Sequence, residues 1–460
     1  MNHKHAVALY PENKKLSKSI HYRFGERHSV MILVLIGFFL TGYGLITLEH
    51  PLKLNKTATA LLTGVGCWTA YALMSPDVES VGHHLSEHLV ATSEILFFLL
   101  GAMTIVELID VHDGFTLITD RIASRSTRTL LWIISLLAFF LSALLDNLTT
   151  AIVMISVARK LILNTEQRRV VAGMIIIAAN AGGVWSPIGD VTTTMLWIGG
   201  HITTATIIRT LFLPSLVAMA IPLLVLTRRY RPGSVTARAT AKHGISRPYV
   251  TITARRDRRV ILAVGLGGML FVPIFKTLTH LPPYMGMMLV LGIIWVVSEV
   301  LHSNKDEAER QQFTAAYALS RIDTSSILFF FGILLAVGAL EATDILRELA
   351  QSLNRSVGNL DVIVLLIGIV SAVVDNVPIV AAAMGMYDLQ TYPTDAKLWE
   401  FLAYCAGTGG SLLLIGSASG VAVMGLEKLE FGWYLRQLSP LALLGYLAGA
   451  AVYLGLFALM

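Results

Sequence analysis

Ser142-Ala143-Leu144-Leu145-Asp146-Asn147 returns later in the chain as Ser371-Ala372-Val373-Val374-Asp375-Asn376, and each copy lies inside an apolar stretch. An ionised carboxylate is costly in hydrocarbon. An Asp repeated at matching places in two halves of an apolar chain therefore marks a candidate working site.

Composition sets the surroundings of this motif. Of 460 residues, 55% are hydrophobic and 14% charged, with a mean hydropathy of +0.68; a soluble domain has about 25% charged residues. Spanning a bilayer takes about 20 mostly apolar residues, and apolar runs recur from Val30–Leu48 to Trp433–Met460, several of them too short to cross alone. This predicts an all-α polytopic membrane protein. Val30–Leu48 follows a polar start and lacks a small-residue cleavage site, so it reads as a retained helix rather than a signal peptide. The net charge of +5 implies no nucleic-acid partner, because the basic residues lie beside apolar spans. Cys67 and Cys405 sit in apolar surroundings and read as small core fillers.

Segment 228–259 holds ten Lys and Arg against the single acid Asp257, and by the positive-inside rule it is a cytoplasmic linker. It divides the chain into a polar tail (1–29), a first membrane repeat (30–227) and a second, inverted membrane repeat (260–460). Three matches in the same order support duplication. Thr92-Ser93-Glu94-Ile95-Leu96-Phe97-Phe98 pairs with Thr324-Ser325-Ser326-Ile327-Leu328-Phe329-Phe330, the Asp-Asn segments pair next, and Ala181-Gly182-Gly183 with Ile188-Gly189-Asp190 pairs with Thr408-Gly409-Gly410 and Ile415-Gly416-Ser417. The offsets, Thr92 to Thr324, Ser142 to Ser371 and Ala181 to Thr408, are 232, 229 and 227 residues.

Gly182, Gly183 and Ser186-Pro187-Ile188-Gly189 interrupt one apolar run, as Gly407, Gly409, Gly410 and Gly416 interrupt its counterpart. Glycine and proline weaken helices, and freed backbone groups are tolerated at membrane depth only where they line a cavity. Each repeat is thus expected to hold a broken helix and a re-entrant hairpin with its tip at Asp146-Asn147 or Asp375-Asn376. Counting spans gives five crossings per repeat, and an odd number inverts the second copy. With the linker inside, Ser75–Thr92 becomes an outside loop holding His83, His84 and His88, the tail lies outside, and the hairpins open to opposite faces.

The stretch Phe140–Thr150, followed by Asn180-Ala181-Gly182-Gly183-Val184-Trp185-Ser186-Pro187-Ile188-Gly189-Asp190-Val191-Thr192-Thr193, resembles the NhaD-type sodium/proton antiporters of the ion transporter superfamily, over essentially the whole chain after Val30. The resemblance implies a dimeric, inverted-repeat secondary transporter in the cell inner membrane. It would exchange Na⁺ or Li⁺ for H⁺ with no cofactor. Anion symporters of that superfamily have Ser-Asn-Thr at the tips; here Asp-Asn stands there, and two carboxylates facing one cavity repel an anion.

Na⁺ is a hard cation served by carboxylate, amide, hydroxyl and backbone oxygens. Asp146 and Asp375 are the first candidates for joint cation ligand and proton carrier, since burial and a like-charged neighbour favour the neutral carboxyl when no cation is bound; capping a half-helix is the simpler role. Asn147 and Asn376 supply oxygens or cap the second hairpin arms. Ser142 and Ser371, four residues before each Asp, bond it or pack in a close helix contact. Asn180, Asp190, Thr192 and Thr193 crowd the first broken helix, while Thr408, Ser411, Ser417 and Ser419 crowd the second without a carboxylate. Glu94, Glu107, Asp110, Glu341 and Asp344 lie near span ends and read as solvated or paired. Two other classes fit less well: neither tip Asp has the Gly-x-Gly-Asp setting of an intramembrane aspartyl protease, and an arsenite or organic-anion transporter is the nearer alternative.

Overall fold

The computed structural model describes residues 12–119, 122, 126–229 and 254–459, with the backbone alone given for 12–29. Of the polar tail, 12–29 is therefore seen only as a helical backbone, and the rest of the tail and most of the basic linker lie outside the described residues. Numbering helices of eight residues or more, the first part of the chain forms α1 (Glu12–Thr47), α2 (Lys56–Met74), α3 (Val78–Val111), α4 (Thr127–Leu145), α5 (Asn147–Leu161), α6 (Thr165–Gly183), α7 (Val191–Ile198) and α8 (Thr204–Arg229). The second part forms α9 (Arg255–Thr279), α10 (Pro283–Leu301), α11 (Thr324–Ala342), α12 (Ile345–Val357), α13 (Leu360–Val370), α14 (Asn376–Met386), α15 (Lys397–Gly409), α16 (Ala418–Glu427) and α17 (Ser439–Leu459). By length and composition, eight helices among the described residues can cross a membrane. The protein is a multi-pass membrane protein.

Side-chain caps set many of the starts. Asn55 Oδ1 accepts from Thr57 N at 2.8 Å, Asn164 Oδ1 from Gln167 N at 3.0 Å and Asp323 Oδ1 from Ser326 N at 3.1 Å, each meeting an N–H that has no partner in the first helical turn. Asp77 does the same through Glu79 N and Ser80 N. Its cap corrects one expectation. Ser75–Thr92 is not a loop: from Val78 onward it is helix, continuous with the apolar part of α3. His84 Nδ1 lies 3.2 Å from Tyr71 Oη, and the His88 ring faces Trp68. A second difference is α12, an added helix that meets α13 at 115° through Gly358, whose φ is +70°; Gly tolerates that left-handed backbone without cost to a side chain.

The matches found in sequence reappear as matched packing. α4 packs on α6 as α13 packs on α15; α5 packs on α16 as α14 packs on α7; α2 packs on α11 as α10 packs on α3. Ser142 Oγ donates to Ala179 O at 2.6 Å, and Ser371 Oγ donates to Ala406 O at 2.9 Å. These serines join helices rather than bonding the nearby Asp. One turn along, a Cβ on Gly182 would fall 2.1 Å from Phe139 O, and one on Gly409 would fall 2.0 Å from Gly368 O. Backbone lies on backbone at both crossings, as small residues allow between membrane helices. The arms differ, however. α5 lies on its own first arm α4, whereas α14 rests chiefly on α11, α12, α7 and α15.

Charge is buried in one tie between the parts: Glu427 at the end of α16 accepts from Arg159 Nε at 2.5 Å and Arg168 Nε at 2.7 Å. Removing one partner of such a buried group is costly because the other is left uncompensated.

The helix crossings at Gly182 and Gly409 give the first test. Gly182→Ala and Gly409→Ala should each lower the thermal unfolding midpoint of the detergent-purified protein, at about 1–3 kcal/mol of overpacking. Gly37→Ala, whose Cβ would meet nothing within 4 Å, should not. Unchanged midpoints in the first two variants would contradict the close backbone contact.

Candidate functional site

Four helices begin at the centre of the molecule, and four candidate residues are their N-caps. Asp146 caps α5 through Thr149 N, Asp190 caps α7 through Thr192 N, Asp375 caps α14 through Val377 N, and Ser417 caps α16 through Gly420 N. The breaks in both interrupted helices follow from their sequence: α6 ends at Gly183 and resumes as α7 only after Ser186-Pro187, while α15 ends at Gly409 and resumes as α16 after Gly416. Carbonyl ends of α6 and α15 thus approach the amide ends of the four capped helices.

Asp190 lies at the heart of this arrangement, 1% exposed. Asn147 Nδ2 donates to its Oδ2 at 3.1 Å, and Asn376 Nδ2 donates to the same oxygen at 3.2 Å. One amide comes from each Asp-Asn tip. Thr192 N donates to Oδ1 at 3.1 Å. Beside it, Asn180 is satisfied on every side: its Oδ1 accepts from Asn147 Nδ2 at 3.1 Å and Ser419 Oγ at 2.8 Å, and its Nδ2 donates to Ser411 Oγ and Ser417 Oγ, both at 2.9 Å. Ser417 and Ser419 bond each other at 3.0 Å. Seven candidates, Asn147, Asn180, Asp190, Asn376, Ser411, Ser417 and Ser419, form one buried network drawn from both parts of the chain.

The tip carboxylates stand outside it. Both Asp146 oxygens are engaged by Thr149, at 2.8 Å from N and 2.7 Å from Oγ1. Its backbone, at φ 114° and ψ 160°, occupies a region otherwise left to glycine, a strain of about 1–3 kcal/mol that the surrounding contacts must hold in place. Asp375 has ordinary angles, accepts from Val377 N at 3.2 Å and pairs with Lys56 Nζ at 3.8 Å. Thr193 Oγ1 donates to Asp190 O, and Thr408 Oγ1 donates back to Tyr404 O within its helix; both are local backbone bonds. Of the weaker acids, Glu107 pairs with Arg321 and Asp344 with Arg347.

Residues 43–399 match the profile of the family described as "Citrate transporter". The chain belongs to this family. Within it, the similarity runs to NhaD-type antiporters. "Sodium/proton antiporter 1" of Arabidopsis thaliana is 49% identical over 417 residues, covering 90% of this chain and 71% of the relative. "Na(+)/H(+) antiporter NhaD" of Vibrio cholerae is 31% identical over 461 residues, covering 93% and 92%, and the protein of that name from Alkalimonas amylolytica is 30% identical over 464 residues, covering 93% and 91%. The NhaD-type reading made from the Asp-Asn and Asn180–Thr193 motifs agrees with these relatives.

Two features escaped the sequence reading. Thr150 Oγ1 is buried without a hydrogen-bond partner among the described residues, in the first turn of a helix capped by an Asp. The doublet Thr149-Thr150, shortly after Asp146, was the available signal. Lys56 at the foot of α2 had none, because nothing local in the chain places it beside Asp375.

The Asn180 hub supplies a second test. Asn180→Ala strands several buried polar groups at once, each costing about 1–3 kcal/mol, so unfolding of the purified protein should lose about 2–4 kcal/mol. Ser419→Ala, which removes one donor, should lose about 1 kcal/mol. Equal small losses would mean the network is bonded otherwise.

Proposed function

We propose that this family member exchanges Na⁺ or Li⁺ for H⁺ across the cell inner membrane by alternating access, with cation and proton competing for carboxylates centred on Asp190. The observation that supports this most directly is the convergence of Asn147 and Asn376, one from each tip, on the single buried carboxylate of Asp190. Asp146 and Asp375 flank it, and the reading gives them the joint cation and proton role on either side. The three relatives described above are named sodium/proton antiporters, which favours the same reaction.

Charge explains why a cation suits the site. Each helix N-terminus presents about +0.5 elementary charge, and four of them meet here. That offsets about two of the three negative charges on Asp146, Asp190 and Asp375, leaving about one. One monovalent cation, or one proton, neutralises the remainder. A citrate-like anion would find the four amide ends already occupied by the protein's own caps and would face three carboxylates, a like-charge arrangement that excludes it. The stranded hydroxyl of Thr150 is a neutral oxygen of the kind that a dehydrated Na⁺ requires in addition to carboxylate.

Exchange follows from competition. A proton and Na⁺ do not hold the same carboxylate together, so arrival of one releases the other, and moving the site between two faces couples the fluxes. The two copies carry this out from opposite sides if the second is inverted, with linker 228–259 cytoplasmic and the tips opening to opposite faces. A homodimer with a static scaffold and a moving transport unit completes the reading.

Reconstituted vesicles test the assignment. Asp146→Asn, Asp190→Asn and Asp375→Asn keep side-chain size but remove charge and titratable proton, and each should reduce Na⁺-driven proton movement at least a hundredfold with insertion unaffected. Ser417→Ala, matching Asp190 in the second copy, should cost less than tenfold. Asp190→Asn behaving like Ser417→Ala would reduce Asp190 to a structural cap.

Competition also sets a pH dependence. As pH falls, protonated carboxyls must be emptied before Na⁺ binds, so the apparent KM for Na⁺ should rise by up to about tenfold per pH unit for a one-proton competition, and activity should favour neutral to alkaline conditions. An apparent KM constant over about three pH units would require separate sites for the two ions.

A further inference from the structure

A small cavity of about 60 Å³ opens beside the second tip, lined by Tyr43, Glu49, Lys56, Phe329, Asp375 and Ser417 among others. About 10–15 Å³ accommodates a water, so it has room for a partly hydrated ion. Its walls come from α1, the start of α2, α11, the Asp375 tip and the second helix break. Ser417 ties it to the centre: this residue lines the cavity and accepts from Asn180 Nδ2 through its hydroxyl, and Asn376, next to Asp375, donates to Asp190. The cavity is continuous by contact with the proposed exchange site.

Within it lies a cation that belongs to the protein. Lys56 Nζ sits 3.8 Å from Asp375 Oδ2 and 4.5 Å from the centre of the Phe329 ring, and its own backbone N is 3.4 Å from Glu49 Oε1. The ammonium is held by charge and by an aromatic face rather than by a short hydrogen bond. At the other tip, both oxygens of Asp146 are taken by Thr149. At the matching start of α10, the repeat has Pro283 in place of a basic residue.

We propose that Lys56 is an internal counter-cation that occupies Asp375 when no Na⁺ is bound and must leave this carboxylate for Na⁺ to take it. Lys56 thereby competes with the transported ion at one of the two tips only. With the ammonium in place, the charge of about −1 left by the three carboxylates and four helix ends is balanced, so the empty site is close to neutral. Sodium binding displaces the ammonium toward Phe329, Glu49 and the cavity. A long flexible side chain with a compact point charge can make such a movement; the rigid fork of an arginine, which pairs with a carboxylate through two bonds, releases it less readily.

This inference rests on the shared-site reading, and the experiment separates the two. Apparent KM for Na⁺ and maximal rate are measured in reconstituted vesicles for the wild type, Lys56→Met, Lys56→Arg and Asp375→Asn, with Lys56→Gln replacing the Met variant should that fail to insert. Loss of a half-exposed competing ion pair should lower the KM of Lys56→Met about fivefold, while Lys56→Arg should raise it above the wild type. A merely structural lysine would instead reduce the maximal rate or raise KM in both variants. An unchanged or raised KM in Lys56→Met overturns the proposal. If Asp375→Asn abolishes exchange in the same experiment, the shared-site reading survives that failure; if Asp375→Asn exchanges normally, the shared-site reading itself is lost.

Discussion

One carboxylate receiving two amides is the contact on which this molecule depends. Asp190 accepts from Asn147 and Asn376, residues 229 positions apart in the chain, and buried charge of this kind is tolerated only when its oxygens are satisfied. Everything nearby serves that condition. The helices must break so that N–H groups and side chains can reach Asp190, the breaks must be glycine-rich so that backbones can touch, and Asn180 must gather the serines of the second part so that no amide is stranded. The tips thus meet at a common centre and join the two parts of the chain.

The same arrangement governs the charge. Helix N-termini alone would make this a site for anions, and the matched family bears the description "Citrate transporter". Here three of the four N-caps are aspartates, which places negative charge against the positive helix ends. The two parts of the chain are chemically unequal as well: one broken helix is capped by Asp190 and the other by Ser417, one tip is strained and paired with Thr149, and the other is relaxed and paired with Lys56.

Much of this was legible in residues alone. Apolar runs, paired Gly-rich breaks and the doubled Asp-Asn motif led to an all-helical membrane fold and the list from which the central network is drawn. Where the reading was incomplete, the reason is physical. Ser75–Thr92 was taken as a loop because it is polar, yet Asp77 caps it and the helix continues beyond the apolar section, since a capped amphipathic turn needs no hydrocarbon around it. α12 was not anticipated because an amphipathic helix of 13 residues leaves no long apolar run. Emphasis fell on Asp146 and Asp375 because they repeat, whereas Asp190, which occurs in one copy only, occupies the centre.

The sequence by itself determined what is local or periodic: hydropathy decided that the chain spans a membrane, glycine and proline decided where helices end, and aspartate and serine decided how the next ones start. Tertiary structure alone decided which of these residues meet. Hydrogen bonds from Asn147 and Asn376 to one carboxylate, the four bonds of Asn180 and the approach of Lys56 to Asp375 join groups far apart along the chain. Their partners are chosen by helix packing, and no local pattern of residues encodes a distance between two helices.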